Sequence, residues 1–258
     1  MIIVYSYIPI IMATASSTST TDDSLVLRIR IGVDEAGRGC MWGSVFAGAV
    51  ALPADLEDEE AMTPEERFLL RDSKVLSAKR REDSIALIKR RAIGWGIGES
   101  TSEDIDRFNI LRATHTAMHR AIDMCIQTCR QNYPTMNVII EHIFVDGDRF
   151  RTYIDSDENV IPHTCVVGGD ASMRCIAAAS NIAKTGRDHH VMTEVDKDPL
   201  LASQWKMDKH KGYCTALHNE CLRLYGVHRL HRRSYEPVKR ILESQGDSYS
   251  HSDSEYIS

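Results

Sequence analysis

The chain has 258 residues, 43% of them hydrophobic, and a formal net charge of −6. It can bury one large core, it has no apolar run of the ~18 residues a membrane span needs, and seven cysteines without a C-x-x-C pair speak against a disulfide framework or a zinc site. The acidity is local: residues 54–66 carry seven acids and 243–258 carry four, neither with a base, and without them 26 acids face 31 Lys and Arg, a basic body suited to binding phosphate. Each run on its own reads equally well as solvated charge.

The first 23 residues pair an apolar stretch, "MIIVYSYIPIIMA", with "ATASSTSTTDDS", and no arginine precedes Arg28. Without a basic start they do not read as a secretory signal. The expectation is a disordered leader or a second start at Met12, in a reducing cytoplasmic setting, with organellar or nuclear targeting left open. "LVLRIRIGVD" alternates as a half-buried strand does, and the small-residue run "GSVFAGAVAL" reads as its closely packed hairpin partner. Residues 54–66 are expected to be a surface loop. Ser77 is the expected N-cap of a helix over "AKRREDSIALIKRRA", and "IGWGIGES" reads as a third strand. One helix is expected over about 102–130, with Cys125 and Cys129 on a shared face as core residues rather than metal ligands. "NVIIEHIFVD" reads as a strand ending at Asp146, and "VIPHTCVVGG" as another ending just before Asp170. A long helix is expected to run from Asp170 through "ASMRCIAAASNIAKTGRDHHVM". "GYCTALHNECLRLYG", closed by Gly226, and "SYEPVKRILES" complete a helical C-terminal part of about 195–242. Strands first, then alternating helices and strands, predict an α/β fold: one domain over 24–242 with a sheet flanked by helices, before an acidic, disordered tail over 243–258.

Three strand ends carry acids: Asp34 with Glu35, Asp146, and Asp170. Read from the residues alone, they are either turn and cap residues or one convergent set. Converging carboxylates repel unless cations lie between them, and an oxygen-only donor set suits Mg²⁺ or Mn²⁺ rather than zinc. Two such ions would serve hydrolysis of a phosphodiester. Asp34 and Glu35 are neighbours, and neighbours on a strand point to opposite faces. The expectation is that the strand ends at them, so that Glu35 need not point away.

The motifs "GVDEAGRG", "RDSKVLS", "NILRAT", "FVDGDRF", "GGDASMRCIAAASNIAKTGRD", "HKGYCTALH" and "HRRSYEPV" occur in this order. In that series the chain resembles type 2 ribonucleases H, specifically the single-chain ribonuclease HII family, over about residues 25–242. The resemblance implies a ribonuclease H-like fold with a mixed central β-sheet. It implies an endoribonuclease that hydrolyses the RNA strand of RNA/DNA hybrids and cuts 5′ of ribonucleotides embedded in duplex DNA. The ends left are a 3′-hydroxyl and a 5′-phosphate, with Mg²⁺ or Mn²⁺ as cofactor, and the work is ribonucleotide and primer removal by a monomer.

By the same resemblance Asp34, Glu35, Asp146 and Asp170 correspond to four catalytic, metal-binding carboxylates. Gly37, Arg38 and Gly39 correspond to a turn contacting the ribose, and Tyr213 to a tyrosine stacking on the sugar. Ser180, Lys184 and Arg187, at i, i+4 and i+7, form one polar stripe that corresponds to phosphate contacts, as does Lys74. The basic "HRLHRRS" with Arg223, Lys239 and Arg240 would extend that surface. Asn181 and Gly186 depart from the family pattern and are expected to loosen the long helix. A ribonuclease HIII-like hybrid nuclease and a non-catalytic hybrid-binding module are the alternatives.

Overall fold

The computed structural model describes residues 25–58, 60–71 and 76–244, so Lys74, the leader and most of the acidic tail lie outside the described residues. In chain order the elements are β1 (Val26–Ala36), β2 (Val45–Ala51), α1 (Ala54–Glu57), α2 (Pro64–Leu69), α3 (Ala78–Arg91), β3 (Gly94–Ser100), α4 (Ser102–Phe108) and α5 (Ile110–Asn132). Then follow β4 (Asn137–Asp146), β5 (His163–Val166), α6 (Gly169–Ser172), α7 (Arg174–Lys197), α8 (Leu200–Ser203), α9 (Met207–His210), α10 (Ala216–Tyr225) and α11 (Glu236–Ser244).

The strands form one mixed sheet in the order β3-β2-β1-β4-β5. β1–β2 and β2–β3 are antiparallel, while β1–β4 and β4–β5 are parallel. Alternation along β1 divides the core. Leu27, Ile29, Ile31 and Val33 are buried with the inner face of α5, while α7 and α3 build a second cluster on the other side. The glycines of "GWGIGES" set the α5 distance: a Cβ on Gly94, Gly96 or Gly98 would overlap atoms of α5. Cys125 and Cys129 lie in this packing, buried and free, as expected of core cysteines. A smaller core around Trp42, Val191, Leu201, Trp205 and Met207 joins the C-terminal helices to α7. Among the described residues no helix is long and apolar enough to cross a membrane.

Several expected elements are corrected. The acidic stretch is not a plain loop: it holds α1 and the start of α2, which has Pro64 in its first turn and a Thr63–Glu66 capping box. Leu56 and Met62 are buried there, and Arg91 ties Asp55 and Glu66 together at 2.5 and 2.6 Å. The helix expected over 102–130 is two, broken at Asn109 with φ 70°, whose side chain caps α5 by accepting from Arg112 N–H. The long helix does not start at Asp170. Asp170 belongs to the one-turn α6, Met173 is extended, and α7 begins at Arg174. α7 runs unbroken through Asn181 and Gly186. Asn181 is fully buried and donates to Arg71 O and Ala177 O, and Gly186 admits Ile97 where a Cβ would collide with it.

Candidate active site

β1 pairs with β2 as far as Ala36↔Phe46 but with β4 only as far as Val33↔Val145. Asp34 and Glu35 are therefore still strand residues, and the expected loss of pleat is corrected. Asp34 lies on the α7 side, where the Ser180 hydroxyl hydrogen-bonds to it. Glu35 lies on the α5 side, lining a small cavity with Thr114, His115, Met118 and Asp146. β1 outruns the β4 ladder at this point, and Asp146, the last residue of β4, interacts electrostatically with both.

Asp34 is 5% exposed. Burial first, then the Glu35 carboxylate, pushes its carboxyl well above the usual range, and Asp146 adds to the shift. Burial likewise raises Glu35, opposed by Arg38, whose Nη1 donates to Glu35 Oε1 at 3.2 Å. Asp146 is fixed by the chain that follows β5: its Oδ1 accepts from Gly169 N–H at 2.7 Å and from Asp170 N–H at 3.4 Å. Asp170 is buried beside it, so all four predicted carboxylates come from the same rim.

The turn after β1 needs glycine at Gly37, where φ is +94° and a Cβ would collide with the Arg187 side chain. At Gly39 no atom lies within 4 Å of where a Cβ would stand, so this backbone is open to an approaching group. Tyr213 is 38% exposed and stands beside the turn, its backbone bridged to Cys40. Behind its ring lie Lys184 Nζ and Arg187 Cζ, 5.6 and 5.3 Å from the centroid.

Of the polar stripe of α7 only Lys184 is partly exposed. Ser180 is spent on Asp34, Lys184 pairs with Asp188 at 2.7 Å, and Arg187 is 1% exposed. Arg187 Nη2 donates to Lys211 O at 2.6 Å, while its Nε and Nη1 have no hydrogen-bond partner. The C-terminal basic run divides: His231 and Arg232 are buried, while Arg223, Arg229, Arg233, Lys239 and Arg240 are exposed, Arg229 paired with Glu194 and Arg240 with Glu236. What sequence reasoning missed is Arg232 and Tyr235 beneath the turn: both hydrogen-bond to Arg38 O. A buried arginine has no signature in one sequence; the only signal was its place in "HRRSYEPV".

Among the described residues no group of three or more His, Cys, Asp or Glu side chains stands in an arrangement that could hold a metal ion as it is. The donor set nevertheless fits a hard divalent cation in kind. It is all oxygen, it is partly buried, and Asp34, Glu35 and Asp146 repel one another, with Arg38 opposing the charge at Glu35 and backbone N–H groups donating to Asp146.

The family model for Ribonuclease HII matches residues 31–238. Ribonuclease HII of Parabacteroides distasonis is 42% identical over 208 residues, covering 81% of this chain and 90% of that protein. The crystal structure of ribonuclease H2 from Pyrococcus horikoshii superposes with a TM-score of 0.60 at 21% identity, covering 85% of this chain and 100% of the other. That of Bst-RNase HIII in complex with Mn²⁺ superposes with 0.53 at 16% identity, covering 91% and 78%. The mixed sheet flanked by helices is thus a ribonuclease H-like fold, and the chain, an endoribonuclease, belongs to the ribonuclease HII family.

Proposed function

We propose that this endoribonuclease hydrolyses the RNA strand of RNA/DNA hybrids and cuts duplex DNA on the 5′ side of an embedded ribonucleotide, leaving 3′-hydroxyl and 5′-phosphate ends. The observation that carries the proposal is a juxtaposition: Asp34 and Glu35 lie immediately before a turn whose backbone is open at Gly39 and flanked by an exposed tyrosine ring. Only the 2′-hydroxyl distinguishes a ribonucleotide from its neighbours, and close backbone approach suits its recognition. Two Mg²⁺ or Mn²⁺ ions, when bound, would supply an activated water and charge neutralisation at the leaving oxygen.

Asp34, Glu35, Asp146 and Asp170 would hold the ions. Ser180 orients the Asp34 carboxylate and Gly169 N–H orients that of Asp146. Gly37, Arg38 and Gly39 present backbone to the ribose, and Tyr213 stacks against it. Arg187 acts from beneath rather than by touching phosphate. Its buried guanidinium fills the space under Gly37, and with Arg232 it sets a positive potential below the turn. Lys184 and Lys74 are the residues assigned to phosphate.

The test is Asp34→Asn, which keeps shape and removes charge. Cleavage of a single-ribonucleotide duplex is expected to fall by at least about 100-fold, with duplex affinity retained and Mn²⁺ binding by calorimetry weakened. A variant that still cuts at the wild-type rate overturns the assignment.

A further inference from the structure

Two halves of the ribose-reading surface, the Gly37–Gly39 turn and Tyr213, are far apart in sequence and need a common reference. The segment Cys40–Gly43 runs between them. Met41 N–H donates to Gly212 O at 2.9 Å on one side, and Arg232 N–H donates to Met41 O at 2.8 Å on the other. Gly43 N–H donates to Leu230 O at 2.8 Å, so residues 230–232 are laid along this segment like a short strand.

From that strand two adjacent side chains reach in different directions. Arg232, fully buried, donates from Nε to Gly43 O at 2.8 Å and from Nη1 to Arg38 O at 2.9 Å. Tyr235 O–H donates to the same Arg38 O at 2.5 Å and accepts from Arg232 Nη1 at 3.0 Å. The carbonyl at the centre of the turn is therefore held by two donors, and it faces inward.

His231 reaches the other half. His231 Nδ1 lies 2.9 Å from His228 N–H and 3.2 Å from His228 O; the shorter contact makes it an acceptor and assigns the proton of His231 to Nε2. That nitrogen lies 2.9 Å from His218 Nε2, and His218 Nδ1 lies 3.0 Å from Tyr213 O. A carbonyl only accepts, so His218 carries its proton on Nδ1 and its Nε2 accepts from His231. Every bond in the series has one donor and one acceptor only with both rings neutral and in these tautomers. The relay ends on the backbone of the residue whose ring flanks the turn.

We infer that His231 and Arg232 are positioning residues for ribose selectivity: one short segment holds the Arg38 carbonyl through Arg232 and Tyr235, and the Tyr213 carbonyl through His231 and His218, fixing the spacing between turn and ring. The inference rests on the proposed ribonucleotide-cutting activity. Neither residue touches substrate in this account. The phosphate contacts assigned above are on other elements, so loss of the spacing weakens reading of the ribose and leaves the general grip on DNA intact.

Tyr235→Phe keeps the ring and removes one donor, Arg232→Lys keeps the charge and removes the fork, and His231→Leu removes the relay. For each, kcat/KM is measured on a duplex with one ribonucleotide, alongside Kd for an all-DNA duplex of the same sequence and the melting temperature. The expected result is a loss of roughly 5- to 10-fold in kcat/KM per removed interaction, with all-DNA Kd within about twofold and Tyr235→Phe folded like wild type. Wild-type kcat/KM in a folded Tyr235→Phe, or a Kd that weakens in step with kcat/KM, overturns the inference. Wild-type protein that does not cut the ribonucleotide duplex at all overturns the activity on which it rests, and that arm is read first.

Discussion

At the scale of single residues the proposed chemistry depends on Asp34. Its burial and its two acidic neighbours make an unneutralised carboxylate costly, which is why loss of its charge is expected to abolish cleavage while sparing the fold. Tyr213 gives a second, separable outcome. Tyr213→Phe leaves the ring in place over Arg187 and is expected to fold and cut normally. Tyr213→Ala removes a nucleotide-stacking surface of a kind worth about 1–3 kcal/mol. It should lower kcat/KM on single-ribonucleotide duplexes by about 10-fold or more. Steady-state kinetics on one duplex with both variants decides it, and equal selectivity in the alanine variant would remove Tyr213 from the site. The acids were legible in the sequence as strand-end residues. Their orientation was not, because it depends on where the β4 ladder stops against β1, a register that no local pattern carries. Arg187 was legible as basic and illegible as buried, since its partners are backbone carbonyls of Trp42 and Lys211, 145 and 24 residues away.

At the scale of elements, the sheet and its helices follow from local signals wherever those signals were strong. Ser77 caps α3, Gly226 ends α10, and β1 to β4 lie where alternation and small-residue runs put them. The misses are the breaks. Asn109 and Met173 interrupt helices in which composition is continuous. The glycine face of β3 carries its own prediction. Gly96→Val would put a branched side chain against α5 backbone at Ala121 and Cys125. The expected cost is about 3 kcal/mol or more, since neither element can move without opening the core. A urea denaturation curve checks it, and an unchanged midpoint would mean that α5 and β3 are not held at this distance.

At the scale of the whole molecule, the C-terminal helical part is joined to the active-site rim through buried histidines. Burial and the neighbouring His210 push His218 down to about 4 from the ordinary 6.5, and His231 is also lowered by burial. The unfolded chain therefore binds protons that the folded chain refuses. Stability from this cluster is fully present above about pH 6.5 and is lost as the pH falls toward 4. His218 alone contributes about 3 kcal/mol to that loss. Thermal melting at pH 7.5 and at pH 5 should show a lower midpoint in acid, and His218→Phe, if folded, should flatten the dependence. An equally steep slope in that variant would place the dependence on the other buried histidines, His231 and His210, whose values burial also lowers.

The proposed function joins ribose reading to phosphodiester hydrolysis within residues 32–39. It is tested most directly by incubating the protein with Mg²⁺ or Mn²⁺ and a duplex DNA carrying one ribonucleotide, and mapping the ends. The expected result is a single cut 5′ of the ribonucleotide, with a 3′-hydroxyl and a 5′-phosphate, and no cut in the matching all-DNA duplex. Folded protein that leaves the ribonucleotide strand intact, or cuts both duplexes alike, would contradict it.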